Sequence, residues 1–208
     1  MTPAEDVGRP APDRHRVFIA VPLSPAVREA AAGARAAFAA HADRFRWVSP
    51  RQLHLTLAFL GDITTAQMAD AVDAARAAAA SAAPFLVVFA GVGAFPSLAA
   101  PRVLWVGVAA GEDRLAALAG ALEAALRARR FAPDPRPFAP HLTLARARGT
   151  GRPPDLRRGS EAFGRVTIGE QPVAELIVVK SVFGPLEPVH TVVGTARLGD
   201  ASRGLEVS

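Results

Sequence analysis

The chain has 208 residues, of which 50% are hydrophobic and 21% are charged. This balance predicts a folded protein with a sizeable core and argues against disorder along the whole chain. There is no cysteine, which excludes disulfides, thiolate nucleophiles and zinc sites built on cysteine. Lys and Arg number 24 against 19 Asp and Glu, and every basic residue except Lys180 is arginine, the side chain that best matches phosphate.

The ends of the chain are predicted to be tails. Residues 1–14 are rich in proline and charge and have no hydrophobic periodicity, so they read as disordered. They lack the apolar run of a signal peptide, and no later segment is apolar for long enough to span a membrane. Residues 201–208 read as a second tail. We therefore expect a cytoplasmic protein with one domain at residues 15–200.

Residues 16–98 are predicted to form the first half of that domain. Strands are expected at 16–21, 45–48, 53–60 and 85–95. Ser24 and Pro25 predict the start of an alanine-rich helix that continues to about His41. Gly61 and Asp62 are expected to end the third strand, and a second alanine-rich helix is expected at 65–82.

Residues 101–198 repeat the pattern. Strands are expected at 102–108, 141–147, 173–183 and 190–198, with an amphipathic helix at 112–130 and a loop at 149–160. The repeated order predicts an α+β, bilobal, duplicated fold. Each half would contain helices and an antiparallel or mixed sheet, with a cleft between the halves.

An exact tetrapeptide repeat points to the chemistry. His54–Leu57 and His141–Leu144 both read HLTL and lie 87 residues apart. In a strand, His and Thr at i and i+2 share one face, while the two leucines face a core. Two such strands across a cleft bring two imidazoles to one groove. One imidazole can then accept a proton while the other donates one, which suits phosphate ester chemistry.

Other chemistries have less support. A single HLTL segment is ordinary strand sequence, and the repeat is what favours catalysis. No carboxylate or cysteine stands beside the two histidines at the spacing of a third zinc ligand. No glycine-rich phosphate loop motif occurs. We therefore expect neither a metal nor a cofactor.

The segments that carry the repeat resemble a known family. LHLTLAFLG at 53–61 and RPFAPHLTLAR at 136–146 are similar to the RNA 2′,3′-cyclic phosphodiesterases, or 2′-5′ RNA ligase-like proteins, of the two-histidine phosphoesterase superfamily. Residues 16–29 and 102–108 resemble the openings of the family's two halves, so the resemblance covers about 16–198. It implies metal-independent hydrolysis of an RNA 2′,3′-cyclic phosphate to a 2′-phosphomonoester, with 2′-5′ ligation as the reverse reaction.

The resemblance also implies residue roles. His54 would be the proton donor and His141 the proton acceptor, while Thr56, Thr143 and Arg146 would bind the phosphate. The implied partner is RNA with a cyclic phosphate end, tRNA fragments included. We also expect a monomer. Two alternatives remain, namely a non-catalytic RNA-binding module and a two-histidine enzyme for a small cyclic nucleotide.

The chain departs from the family near its C-terminal end. His190 stands near a position where the family often has an aromatic residue, and the chain has no tyrosine. Phe, Trp or His side chains would therefore have to stack on the RNA base. His190 itself reads as a surface strand residue. Several other side chains read as solvated or as core: His15, His41, Trp47, Trp105, Arg152, Arg157 and Arg158.

Overall fold

A computed structural model describes most of the chain. The described residues are 13–132, 134–149, 151, 154–157, 164, 166–184 and 187–199. The predicted tails lie outside these ranges except for residues 13 and 14, and so do Arg152 and Arg158.

The described elements, in chain order, confirm the α+β class. They are β1 (Arg14–Pro22), α1 (Pro25–Gly33), a 3-10 segment (Ala34–Arg44), β2 (Phe45–Trp47), a 3-10 turn (Pro50–Gln52), β3 (His54–Thr64), α2 (Thr65–Ala80), β4 (Phe85–Phe95), β5 (Val103–Ala110), α3 (Glu112–Ala128), β6 (His141–Ala147), β7 (Thr167–Val173), β8 (Glu175–Val182) and β9 (Val189–Arg197). Among the described residues, no helix is both long and apolar enough to cross a membrane.

The strands form one curled antiparallel sheet in the order β7-β4-β5-β6-β3-β1-β8-β9, with β2 paired to β6. The two lobes meet at its centre, where Leu55 of β3 pairs with Leu142 of β6. We call β3-β1-β8-β9 the first lobe and β6-β5-β4-β7 the second lobe. Spatial order therefore departs from chain order, because β4 lies in the second lobe and β8 and β9 lie in the first.

The helices cover the face of the sheet that carries the leucines. Helix α2 packs on β8 and β9, α3 packs on α2 and β3, and α1 packs on β7. Buried alanines line α2 and allow close approach: a Cβ atom added to Gly194 of β9 would lie 2.5 Å from Val72 of α2. The chain passes from β7 in the second lobe to β8 in the first through Ala174 alone.

The segment after Gly33 differs from the prediction. The α-helix ends at Gly33, so the prediction of a helix to His41 is wrong, and the 3-10 segment that follows is non-helical at Phe38 (φ −114°, ψ 18°). Glycine in a helix costs about 0.5–1 kcal/mol relative to alanine. Phe38 is buried in the core, and the bend at this residue accompanies its burial.

Strand β3 continues past the point where the sequence predicts its end. Gly61 has a φ of +67°, and the register of β3 against β1 shifts between Val17 and Phe18 beside it. A glycine with positive φ in a shifted ladder is a β-bulge. The glycine therefore marks a bend within the strand, which runs on to Thr64.

The sequence pattern does not predict β7, since Gly169 and Pro172 both disfavour strand structure. The strand lies at an edge of the sheet, where proline is tolerated. Its buried Gln171 accepts a hydrogen bond from the backbone N–H of Ser24 (2.8 Å) and donates one to the carbonyl oxygen of Pro22 (3.3 Å). These bonds fix β7 to the turn between β1 and α1.

Candidate active site

The two HLTL strands lie side by side where the lobes meet. Leu55 and Leu142 pair with each other and are fully buried in the core. Alternation along each strand puts His54, Thr56, His141 and Thr143 on the opposite face, where all four are half-buried. Continuing the register by one residue places His54 across from Thr143 and His141 across from Thr56. The structure thus brings these four predicted site residues together.

Both imidazoles are held in the same way. Nδ1 of His54 lies 2.6 Å from the carbonyl oxygen of Gln52, and Nδ1 of His141 lies 2.7 Å from that of Ala139. A carbonyl oxygen only accepts, so Nδ1 carries the hydrogen and donates in both cases. In both rings Nε2 is therefore the nitrogen that can exchange a proton with a ligand.

Arg146 reaches the same face through a strand irregularity. The register of β6 against β5 shifts by one residue after Thr143. Leu144 and Ala145 are consequently both buried, and Arg146 returns to the face that carries Thr143. Its guanidinium is close enough to His54 to contribute to lowering the pKa of that histidine.

The first lobe has the same irregularity with a different side chain. The register of β3 against β1 shifts after Thr56, which puts Phe59 in the position that Arg146 holds on β6. Phe59 is 51% exposed. The cleft is therefore asymmetric, with a cation on its second-lobe side and an open aromatic face on its first-lobe side.

Aromatic rings surround His54 in the first lobe. Phe18 stacks on His54 with ring centroids 4.5 Å apart and an interplanar angle of 21°. His190 meets both rings edge-on, at 5.1 Å from Phe18 and 5.5 Å from His54. His190 thus lines the cleft, which differs from its reading as a surface residue. The family position of His190 and the alternation of β1 are the signals that could have indicated this cluster.

The pKa of His54 is lowered from 6.5 to about 4, mainly by burial; the hydrogen bond to Gln52 opposes this shift, and the His190 ring and the Arg146 charge add to it. Burial also lowers the pKa of His190, with Glu187 acting in the opposite direction. In the ligand-free protein both rings are therefore neutral near pH 7.

His141 is supported by larger rings in the second lobe. Phe95 meets its ring edge-on at 5.0 Å, and the Trp105 centroid lies 6.3 Å away. The indole lies against Gly93, where an added Cβ atom would come within 2.2 Å of the ring, and against Gly107 at 3.3 Å. Trp105, read from the sequence as core, is thus a half-buried part of the cleft floor.

The remaining histidines and tryptophan lie elsewhere. Trp47 packs against Phe38 and Phe45 and belongs to the core, as predicted. His15 and His41 are half-buried, not fully solvated. Within the described part of the chain, no group of three or more His, Asp or Glu side chains is arranged to hold a metal ion.

The lowered pKa of His54 predicts a loss of stability in acid. Between pH 6.5 and about 4 the unfolded chain binds a proton at this residue that the folded protein does not. The free energy of unfolding should therefore fall as the pH falls through this window and should be level above it. Urea unfolding at about pH 7 and about pH 5 measures the difference. His54→Gln should reduce it, whereas His41→Gln should keep it; an unchanged difference in His54→Gln would contradict the prediction.

The duplicated sheet, with a His/Thr strand from each lobe on one cleft face, defines a two-histidine phosphoesterase. The family model described as LigT-like phosphoesterase matches residues 21–105 and again residues 106–185. The chain belongs to this family.

Individual relatives agree with this assignment. The RNA 2′,3′-cyclic phosphodiesterase of Aquifex aeolicus is 33% identical over 156 residues, which cover 74% of this chain and 82% of the relative. The crystal structure of TT0787 from Thermus thermophilus has a TM-score of 0.72 at 32% identity and covers 88% of this chain and 98% of that one. Escherichia coli LigT, crystallised with 3′-AMP, has a TM-score of 0.68 at 26% identity and covers 89% and 99%.

Proposed function

We propose that the protein hydrolyses the 2′,3′-cyclic phosphate at an RNA end to a 2′-phosphomonoester. The observation that carries this proposal is the pair of imidazoles, each with Nδ1 bound to a carbonyl and each beside a threonine on one face. The Aquifex aeolicus relative, which is named an RNA 2′,3′-cyclic phosphodiesterase and is 33% identical in sequence, supports an RNA cyclic phosphate as the substrate. Both histidines come from one chain, which supports a monomer as the working form.

In the proposed reaction a water oxygen attacks phosphorus and the bond from phosphorus to O3′ breaks. Nε2 of His141 takes a proton from the water, and Nε2 of His54 gives a proton to the departing O3′. The same attack by a 5′-hydroxyl of RNA in place of water, again with release of O3′, would form a 2′-5′ linkage. The assignment of the two roles follows the family resemblance.

His54 must carry a proton before it can donate one. Its pKa of about 4 in the ligand-free protein leaves it neutral near pH 7. A bound phosphodiester places a negative charge beside the ring and favours the imidazolium. We infer that the substrate draws this proton in as it binds, and that burial then makes the imidazolium a ready donor.

Thr56, Thr143 and Arg146 are proposed to hold the phosphate. The hydroxyls can donate to the non-bridging oxygens, and the guanidinium can meet the charge that grows in the transition state. Alanine at any of these positions should lower kcat less than loss of either histidine and should also weaken substrate binding. Steady-state kinetics with a cyclic phosphate test this. A variant with unchanged kcat and unchanged substrate affinity would remove its residue from the phosphate site.

Metal removal is expected to leave turnover intact, because two imidazoles suffice for both proton transfers. The assay compares activity before and after exhaustive treatment with EDTA. Complete loss that one divalent cation restores would defeat the metal-independent mechanism.

The function is tested with an oligoribonucleotide that ends in a 2′,3′-cyclic phosphate. The expected product carries a 2′-phosphate, which a 3′-specific phosphatase leaves in place. Binding without turnover would instead favour a non-catalytic RNA-binding module. Turnover of a cyclic mononucleotide alone would favour a small-molecule enzyme. RNA fragments, including pieces of tRNA, are the proposed source of the natural substrate.

A further inference from the structure

An exposed aromatic side chain and an arginine form a pair at the outer end of the first lobe's cleft face. Phe183, just after β8, is 76% exposed. The guanidinium carbon of Arg16 lies 5.8 Å from the centroid of its ring. Among the described residues Arg16 has no carboxylate partner within ion-pair distance, so its charge is available to a ligand.

This pair is continuous with the histidine site. Arg16 precedes Phe18 by two residues on β1, so both side chains stand on the same face of the sheet. Ser181 of β8 pairs with Arg16 on one side and with His190 on the other. Arg16 therefore lies level with His190 and one side-chain step, roughly 6.5 Å along the strand, beyond Phe18.

The surface beside the pair is also apolar and open. Val192 of β9, two residues from His190 on the same face, is more than half exposed. A flat ring beside a guanidinium that forms no ion pair with the described residues offers a base a stacking surface and its phosphate a counter-charge, which is how single-stranded nucleic acids are commonly bound. The continuity of this surface with the cleft and the positive charge of Arg16 favour an RNA strand as the ligand. A protein partner that covered the apolar surface would not need the positive charge of Arg16.

We propose that Arg16 and Phe183 bind the nucleotide that precedes the reacting end of the RNA. Phe183 stacks on the base of that nucleotide, and Arg16 contacts its phosphate. The proposal rests on the proposed function, which puts the cyclic phosphate between His54 and His141. Its consequence is a preference for a strand over a cyclic mononucleotide.

The experiment compares kcat/KM for 2′,3′-cyclic AMP and for a trinucleotide that ends in the same cyclic phosphate. Phe183→Ala should lower kcat/KM for the trinucleotide about 5- to 150-fold, the effect of one lost stacking contact. It should leave the mononucleotide within about twofold. Phe183→Trp should retain the preference for the trinucleotide. Leu86→Ala is the matched control, because Leu86 is also an exposed apolar residue but lies on β4 in the other lobe.

Arg16→Ala should reduce the salt dependence of trinucleotide binding by about 0.7 in the slope of log K against log salt, as for one lost phosphate contact on a single strand. Binding of the mononucleotide should keep its salt dependence. An unchanged slope for the trinucleotide would remove Arg16 from the proposed contact.

The proposal would be overturned if Phe183→Ala lost kcat/KM equally on the two substrates, or lost it on neither. It would also be overturned if Phe183→Ala changed the self-association of the protein on gel filtration but left the trinucleotide kinetics unchanged, because that result assigns the face to a second copy of the chain. If the native protein hydrolyses neither substrate, the proposed function fails, and fluorescence anisotropy with a trinucleotide that ends in a 2′-phosphate decides the binding question by itself. Weaker binding by Phe183→Ala than by the native protein supports the proposed contact of Phe183 with the base, and equal binding overturns it.

Discussion

Replacing His54 or His141 by alanine should lower kcat for an RNA cyclic phosphate by about 10²–10⁴-fold in each case, the usual contribution of one positioned proton-transfer group. The double variant should be little worse than either single variant, because the two imidazoles serve one reaction and their effects do not add. Single-turnover kinetics measure the chemical step directly. His41→Ala, outside the cleft, is the control and should keep native kcat. Native activity in both single variants would refute the enzyme and favour the RNA-binding module.

The roles of the two histidines can be separated with a better leaving group. A cyclic phosphodiester analogue that releases a low-pKa alcohol needs no proton at the departing oxygen. It should therefore rescue His54→Ala far more than His141→Ala. Preferential rescue of His141→Ala would mean that the roles are exchanged, so that the neutral His54 of the ligand-free protein is the base.

Leu142→Ala should reduce the free energy of unfolding by about 2–5 kcal/mol, the cost of a large-to-small change in a closed core. Leu142 is fully buried and pairs with Leu55 where the two lobes meet. A cavity there loosens the joint that sets the two histidine strands against each other. Urea unfolding measures the loss.

Leu86→Ala provides the matched control for Leu142→Ala. Leu86 is 55% exposed, so its replacement should change the free energy of unfolding by no more than about 0.5 kcal/mol. A loss of less than about 1 kcal/mol in Leu142→Ala would show that the joint repacks around the missing atoms.

The local sequence pattern predicts those parts of the fold that depend on residues close together in the chain. The alternation around His54 and His141 gives two strands with imidazoles on one face and buried leucines on the other, as the structure has them. Ser24 and Pro25 predict the start of α1 correctly, and the Ser24 side chain caps the helix by accepting from the N–H of Val27.

What the sequence does not predict depends on contacts between distant segments. The membership of β4 in the second lobe comes from its pairing with β5 and β7. The cluster of Phe18, His54 and His190 joins three segments of the chain. Pro172 conceals β7, because proline disfavours strands in general and is tolerated at the edge that only the finished sheet defines.

The passage from β7 to β8 through Ala174 has a mechanical consequence for the cleft. One extended residue spans only about 3.3–3.6 Å, so this link is a short tether between the two lobes. A hinge opening of several ångströms would have to break strand pairing at one end of the tether. Chain connectivity thus limits how far the two imidazoles can separate, and the proposed RNA substrate would bind between lobes that this link already holds together.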